Sequence, residues 1–163
     1  MKRRLTTWAL TAPAVVAFFS VLSAAPSAAL AQGATQISGV GFFDVDDGCD
    51  SRSMGADFAL ILTGDLEGCL YTFVETASST PSGTYVETGT EIFVSEDGTF
   101  ETTYRFEGKY EDPVNLIGEI FGRCQHKIVE GSGTGAFEGG SGRIDFNDDI
   151  EAGNFPYRGH LRR

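Results

Sequence analysis

From Thr99 to Tyr110 the chain alternates without a break. Phe100, Thr102, Tyr104, Phe106, Gly108 and Tyr110 fall on one side, and Glu101, Thr103, Arg105, Glu107 and Lys109 on the other. A period of two sends successive side chains to opposite faces of an extended backbone, so this segment predicts a strand with one buried and one wet face. Helical periodicity is nearly absent elsewhere, and strand signals recur at short intervals. They read as Ile37–Val45, Phe58–Thr63, Cys69–Thr76, Tyr85–Val94, Thr99–Tyr110, Ile120–Val129, Gly142–Asp148 and Phe155–Arg162. Turn signals separate them, among them Glu96-Asp97-Gly98 and a break at Glu111-Asp112-Pro113 that opens a loop over 112–117. Eight short strands with hairpin-length connections predict an all-β fold, an eight-stranded antiparallel up-and-down β-barrel, in which closure removes exposed edges. A two-sheet sandwich is the alternative architecture.

The first residues have the plan of a secretory signal. Lys2, Arg3 and Arg4 precede an apolar run from Trp8 to Leu22, and Ala29-Leu30-Ala31 offers a small-residue cleavage site. The expected organisation is a signal peptide over 1–31 and a single barrel domain over 32–163. An uncleaved anchor is the rival, but Pro13 and Ser20 interrupt an apolar run already short for a span. Removal of 1–31 leaves nine Lys/Arg against 23 Asp/Glu, a net of −14. Such a surface repels phosphate backbones and anionic membranes, so neither nucleic acid nor, after cleavage, a membrane is an expected partner. A secreted, extracellular protein is the expectation.

Three cysteines, Cys49, Cys69 and Cys124, allow three pairings. An exported chain is expected to oxidise one pair. Cys49 and Cys69 both lie at element ends, where a staple distorts little, whereas Cys124 lies inside a strand. The expected disulfide is therefore Cys49–Cys69, with Cys124 as a buried, inert thiol or as the alternative partner.

Six glycines crowd the twelve residues Gly131 to Gly142, with Phe137 among them. They predict a bulged crossing between strands. The run lacks the Lys-Ser/Thr of a phosphate-binding loop, and no helix-forming stretch follows it. Ile128-Val-Glu-Gly-Ser-Gly-Thr-Gly-Ala-Phe-Glu-Gly-Gly-Ser-Gly-Arg-Ile-Asp-Phe146 resembles the glycine-rich signature of allene oxide cyclase-like barrels, which dirigent proteins share in similar form. Phe155-Pro-Tyr-Arg-Gly-His-Leu161 is similar to the last barrel strand of that group, and Gly68-Cys-Leu-Tyr-Thr-Phe-Val74 is weakly similar to an earlier one. The resemblance implies an eight-stranded barrel with an apolar cavity that holds a small apolar molecule. It also implies chemistry by steering and electrostatic stabilisation: plant cyclases close a fatty-acid epoxide, and dirigent proteins orient phenoxy radicals. The cyclases carry a carboxylate on the first strand, which here matches Asp44 or Asp46, and a cysteine after a glycine, which here matches Cys69. The asparagine that accompanies the cyclase carboxylate is missing from this first strand.

Other candidates come from the residues alone. Asp44, Asp46, Asp47 and Asp50 cluster, but their spacing is not an EF-hand and reads as a solvated acidic loop, with weak Ca²⁺ binding as the alternative. His126 and His160 have no triad around them, and with one spare cysteine they fall short of a zinc site. No metal and no cofactor is expected. Both histidines, with Tyr85 and Tyr157, are candidates to line a cavity wall. In the fourth strand Val86, Thr88, Thr90, Ile92 and Val94 form the more apolar face, which predicts that Glu87 and Glu91 point outward. Were they inward beside Tyr85, they would be the best general acid/base candidates in the chain. The expected function is binding of a small apolar molecule. The alternatives are a cyclase or isomerase using an inward carboxylate such as Asp44, and a structural protein whose barrel is filled by its eleven Phe beyond residue 31.

Overall fold

The computed structural model describes residues 33–46 and 48–162. The expected signal segment and Asp47 lie outside them. Eight strands form one closed antiparallel barrel in chain order: β1 Thr35–Phe43, β2 Phe58–Gly64, β3 Gly68–Ser79, β4 Thr84–Ser95, β5 Gly98–Asp112, β6 Ile117–Ile128, β7 Ser141–Asn147 and β8 Phe155–Arg162. β1 closes on β8, with Gly39 opposite Tyr157. Every described strand edge is thus paired, which the sandwich alternative would not achieve. One short helix, α1 Ser51–Met54, and a 3₁₀ turn at Gly135–Phe137 lie outside the strands. Neither was signalled by periodicity, because each spans about one turn.

The alternation of β5 holds along its length: Phe100, Thr102, Tyr104 and Tyr110 are buried, while Glu101, Thr103 and Arg105 are exposed. An extra residue in β6 shifts the register between Lys109 and Tyr110. This bulge keeps Glu119 and Gly122 both facing inward.

The barrel has two unequal halves. The end carrying the start of β1, the end of β8 and the β2–β3, β4–β5 and β6–β7 connections is solid. There Phe93 stacks on Phe100 at 4.8 Å, and Phe137 meets both edge-on at 5.8 and 5.1 Å. Phe137 arrives on the glycine-rich run. That run is not a strand-to-strand crossing but a folded-back loop that closes the lower end, with Thr134 and Ala136 bonded to the β4–β5 turn region through Thr99 and Asp97. Leu62, Leu66, Leu70 and Ile144 belong to the same core.

A second, smaller apolar cluster sits on the outside. The β1–β2 loop lies over the outer face of β2 and β3, where Cys49, Ala59 and Tyr71 are buried together. The Cys49–Cys69 disulfide staples it there, and Cys124 is free.

The expectation for β4 is also overturned. The inward face of β4 is Tyr85, Glu87, Gly89, Glu91 and Phe93, with Glu91 only 2% exposed. Val86, Thr88, Ile92 and Val94 face outward and are half-buried. The reason lies in neighbouring strands, which place hydroxyl donors opposite the carboxylates.

Candidate functional site

Above Phe93 the interior opens into a chamber of about 510 Å³. Its walls are largely aromatic, from Phe43 and Phe58 near the mouth to Phe106, Phe146 and Tyr104 deeper in. Leu116, Ile150 and Phe155 join Phe43 around the opening.

The floor is polar and fully paired save for one atom. Thr72 of β3, Glu91 of β4 and Thr102 of β5 stand directly opposite one another in the ladder. Thr72 Oγ1 donates to Glu91 Oε1 at 3.2 Å, and Thr102 Oγ1 donates to Oε2 at 2.6 Å. His126 of β6 reaches across to the same oxygen, with Nδ1 at 2.5 Å. A carboxylate facing Nδ1 sets the tautomer, so Nδ1 carries the proton and Nε2 has a free lone pair when the ring is neutral. Nε2 is buried and has no hydrogen-bond partner among the described residues. The ring itself is held between Tyr104, at 6.0 Å, and Phe146, at 4.6 Å.

Two pleat repeats higher, past Gly89, Glu87 accepts two phenols. Tyr85 Oη donates to Oε2 at 2.5 Å and Tyr104 Oη to Oε1 at 2.7 Å. Gly89 makes this possible: a Cβ there would stand 2.8 Å from Tyr104 Cε1 and collide with the Phe73 carbonyl, so only glycine lets the Tyr104 ring lie across β4. Burial first, then the Glu87 carboxylate, pushes both phenols above their ordinary range, which keeps them donors.

At the mouth, Glu119 and Asp148 meet over Gly122, where a Cβ would collide with Asp148 Oδ2 and stand against Glu119 Oε1. Burial and the adjoining Glu119 raise Asp148 to about 8. Two carboxyls this close share one proton, which also accounts for Glu119 Oε1 having no other donor. Burial, the mouth pair and Glu87 raise Tyr110 as well. Cys124 lines the same wall, but burial, reinforced by Glu91, Asp148 and Glu87, pushes its thiol upward and keeps it protonated. It is no nucleophile at neutral pH.

No family model matches the chain, and no curated protein or solved structure matches it either. The site therefore rests on its own geometry.

The structure brings Tyr85, Glu87, Glu91 and His126 together in one chamber. Asp44 stays outside it: its oxygens accept from the Gly48 and Cys49 amides at 2.9 and 2.8 Å and close the β1–β2 loop. Asp50 caps α1 through the Ser53 amide. Tyr157 points inward but belongs to the solid half, where its hydroxyl accepts from the Leu66 amide at 2.9 Å and donates to the Thr63 carbonyl at 3.0 Å. His160 lies between the inward Gly159 and Leu161, hence on the outer face. Among the described residues no group of three His, Cys, Asp or Glu converges as a metal site.

Sequence reasoning missed Thr72, Thr102, Tyr104, Glu119 and Asp148. A signal existed for Thr102. A hydroxyl in the middle of an otherwise apolar buried face implies a buried acceptor opposite.

Proposed function

We propose that the protein is exported and holds one small, mainly apolar molecule in the upper chamber of its barrel. The observation that carries this is the chamber itself: about 510 Å³, open at one end and walled mainly by aromatic rings. That volume lies within the roughly 300–1,000 Å³ usual for small-molecule sites. A barrel of eight strands has room for either packed side chains or one small ligand. Here Phe93, Phe100 and Phe137 fill only the lower half, which speaks against the wholly filled, structural alternative. The disulfide supports an oxidising compartment. The exposed Glu101 and Arg105 on the outer face of β5 support contact with water rather than lipid. Membership of the allene oxide cyclase-like group is part of the proposal, supported by the closed eight-stranded plan.

A second reading, a cyclase or isomerase, is favoured by one observation. Glu91 orients His126, whose other nitrogen is unpartnered beside an apolar chamber. That is the arrangement of a general base with its orienting carboxylate. On this reading His126, not Asp44, moves the proton.

Native mass spectrometry of protein purified from its own culture medium tests the binding role. The expected result is a co-purifying small molecule that raises the melting temperature when added back. A clean apo mass, with no thermal shift across a panel of hydrophobic compounds, overturns it.

A further inference from the structure

Binding in the chamber, taken from the preceding reading, leaves the chemical class of the ligand open, and the charge inventory narrows it. Five carboxyl groups line the chamber, Glu87, Glu91, Glu119, Asp148 and Asp149, and among the described residues no Lys or Arg does. We propose that the chamber is built for a protonated organic amine, with the ammonium group seated between Glu87 and His126 and the hydrocarbon part against the aromatic walls.

Three independent features converge on this. The first is uncompensated charge. A buried carboxylate is costly unless a cation or several donors face it. Glu91 has two threonines and the His126 N–H, Glu87 has two phenols, and Glu119 with Asp148 has a shared proton. These donors satisfy geometry but bring no net positive charge unless His126 is itself protonated. A ligand cation supplies it.

The second feature is the His126 ring. Nδ1 is committed to Glu91, and Nε2 is buried with no protein partner in a side chain only 3% exposed. The lone pair of a neutral ring asks for an N–H or O–H donor. An unsatisfied buried acceptor is costly, so a ligand bearing such a donor removes a penalty already present in the empty protein. A primary or secondary ammonium has that donor, and a quaternary ammonium lacks it.

The third is the wall. Tyr85, Tyr104, Phe106 and Phe146 line the chamber at the level of the two glutamates and the histidine. Ring faces attract cations, more strongly when water is excluded. The chain as a whole carries a net charge of −11, which draws cations towards it and repels anions. A carboxylic acid would instead enter among like charges and would have to bind protonated.

The test uses two matched series, octyl and 2-phenylethyl, each as amine, alcohol, carboxylate and trimethylammonium. Affinities are measured by titration calorimetry on the purified protein at neutral pH. The expected order has at least one amine about ten-fold or more tighter than its own alcohol and its own trimethylammonium analogue, with the carboxylate weakest. Glu87→Gln should remove most of the advantage of amine over alcohol while leaving alcohol binding nearly unchanged. Should Glu87→Gln fail to fold, Tyr85→Phe, which leaves Tyr104 in place, should alter the amine-to-alcohol ratio in the wild-type background. If an alcohol or carboxylate binds as tightly as its amine, the amine assignment is overturned and the binding role stands. Equal binding of the trimethylammonium analogue also overturns it, because the N–H contact at His126 is then unused. If no member of either series binds, the amine proposal and the binding role both fall.

Discussion

His126 Nδ1 lies 2.5 Å from Glu91 Oε2 at the centre of the barrel, and both residues are 2% exposed. The pair joins β4 to β6 across β5 and marks the boundary between the packed half and the open half. A buried polar pair in such a place contributes little by existing and a great deal by being complete, because removing one member leaves the other unsatisfied. Its components arise on strands that do not pair with each other, so the contact forms only when β4 and β6 are both seated on β5.

Glu91→Ala should therefore be among the most destabilising single changes in the chain. It strands the Thr72 and Thr102 hydroxyls and the His126 ring at once. The expected loss is about 3–5 kcal/mol, seen as a lower denaturation midpoint with an unchanged slope in urea. Glu91→Gln keeps one acceptor and should lose less. Equal stability of wild type and Glu91→Ala would show that the floor network is not formed.

Asp148 carries a pH dependence whose sign follows from its raised value. In the folded chain it holds its proton up to about 8, against an ordinary aspartate value of 3.8. Between those values the folded state binds more protons than the unfolded state, so stability falls as pH rises through this window. The effect is fully developed above about 8 and absent below about 4. Melting temperatures measured across that range should decline in the wild type, and the decline should flatten in Asp148→Asn, which cannot lose a proton beside Glu119.

Gly89→Ala tests whether Tyr104 needs the empty side of β4. An added Cβ collides with the Phe73 carbonyl and stands 2.8 Å from the Tyr104 ring. The expected cost is about 1–3 kcal/mol. Because the ring must move away from Glu87, the change should also weaken any ligand held in the chamber. A Gly89→Ala protein with wild-type stability and binding would mean that Tyr104 is not fixed by this contact.

Removing the Cys49–Cys69 disulfide should loosen the β1–β2 loop without opening the barrel. The bond closes a separation of 20 residues, for which chain entropy gives about 3 kcal/mol. The double variant Cys49→Ala/Cys69→Ala should lose roughly that much. It should gain fast amide exchange in the loop over 48–57 while β5 and β6 stay protected. Loss of protection throughout the sheet would show instead that the barrel depends on the staple.

Phe137 and the inner faces of β4 and β5 show where reading the sequence succeeds and where it stops. β5 was legible because its two faces differ in kind, apolar and aromatic against charged, and solvent alone separates them. Phe137 was legible as an apolar residue within a glycine run, but not as the plug of the lower end, because its partners Phe93 and Phe100 are far off in the chain. β4 was misread because hydropathy ranks its Val and Ile face above its Glu face. Hydropathy treats each residue as if it met only water or oil. Glu87 and Glu91 meet neither; they meet Tyr85, Tyr104, Thr72, Thr102 and His126.

Local alternation, turn residues and proximity along the chain suffice for the number and order of the strands, the faces of β5, and cysteines placed to staple a loop. That two glutamates point inward, that Asp44 serves a loop and His126 the floor, and that half of the barrel stays open emerges from the assembled fold alone. Those outcomes depend on which donors, rings and carboxyls closure brings within hydrogen-bond distance. That distance is a property of the folded ring and is written in no single segment.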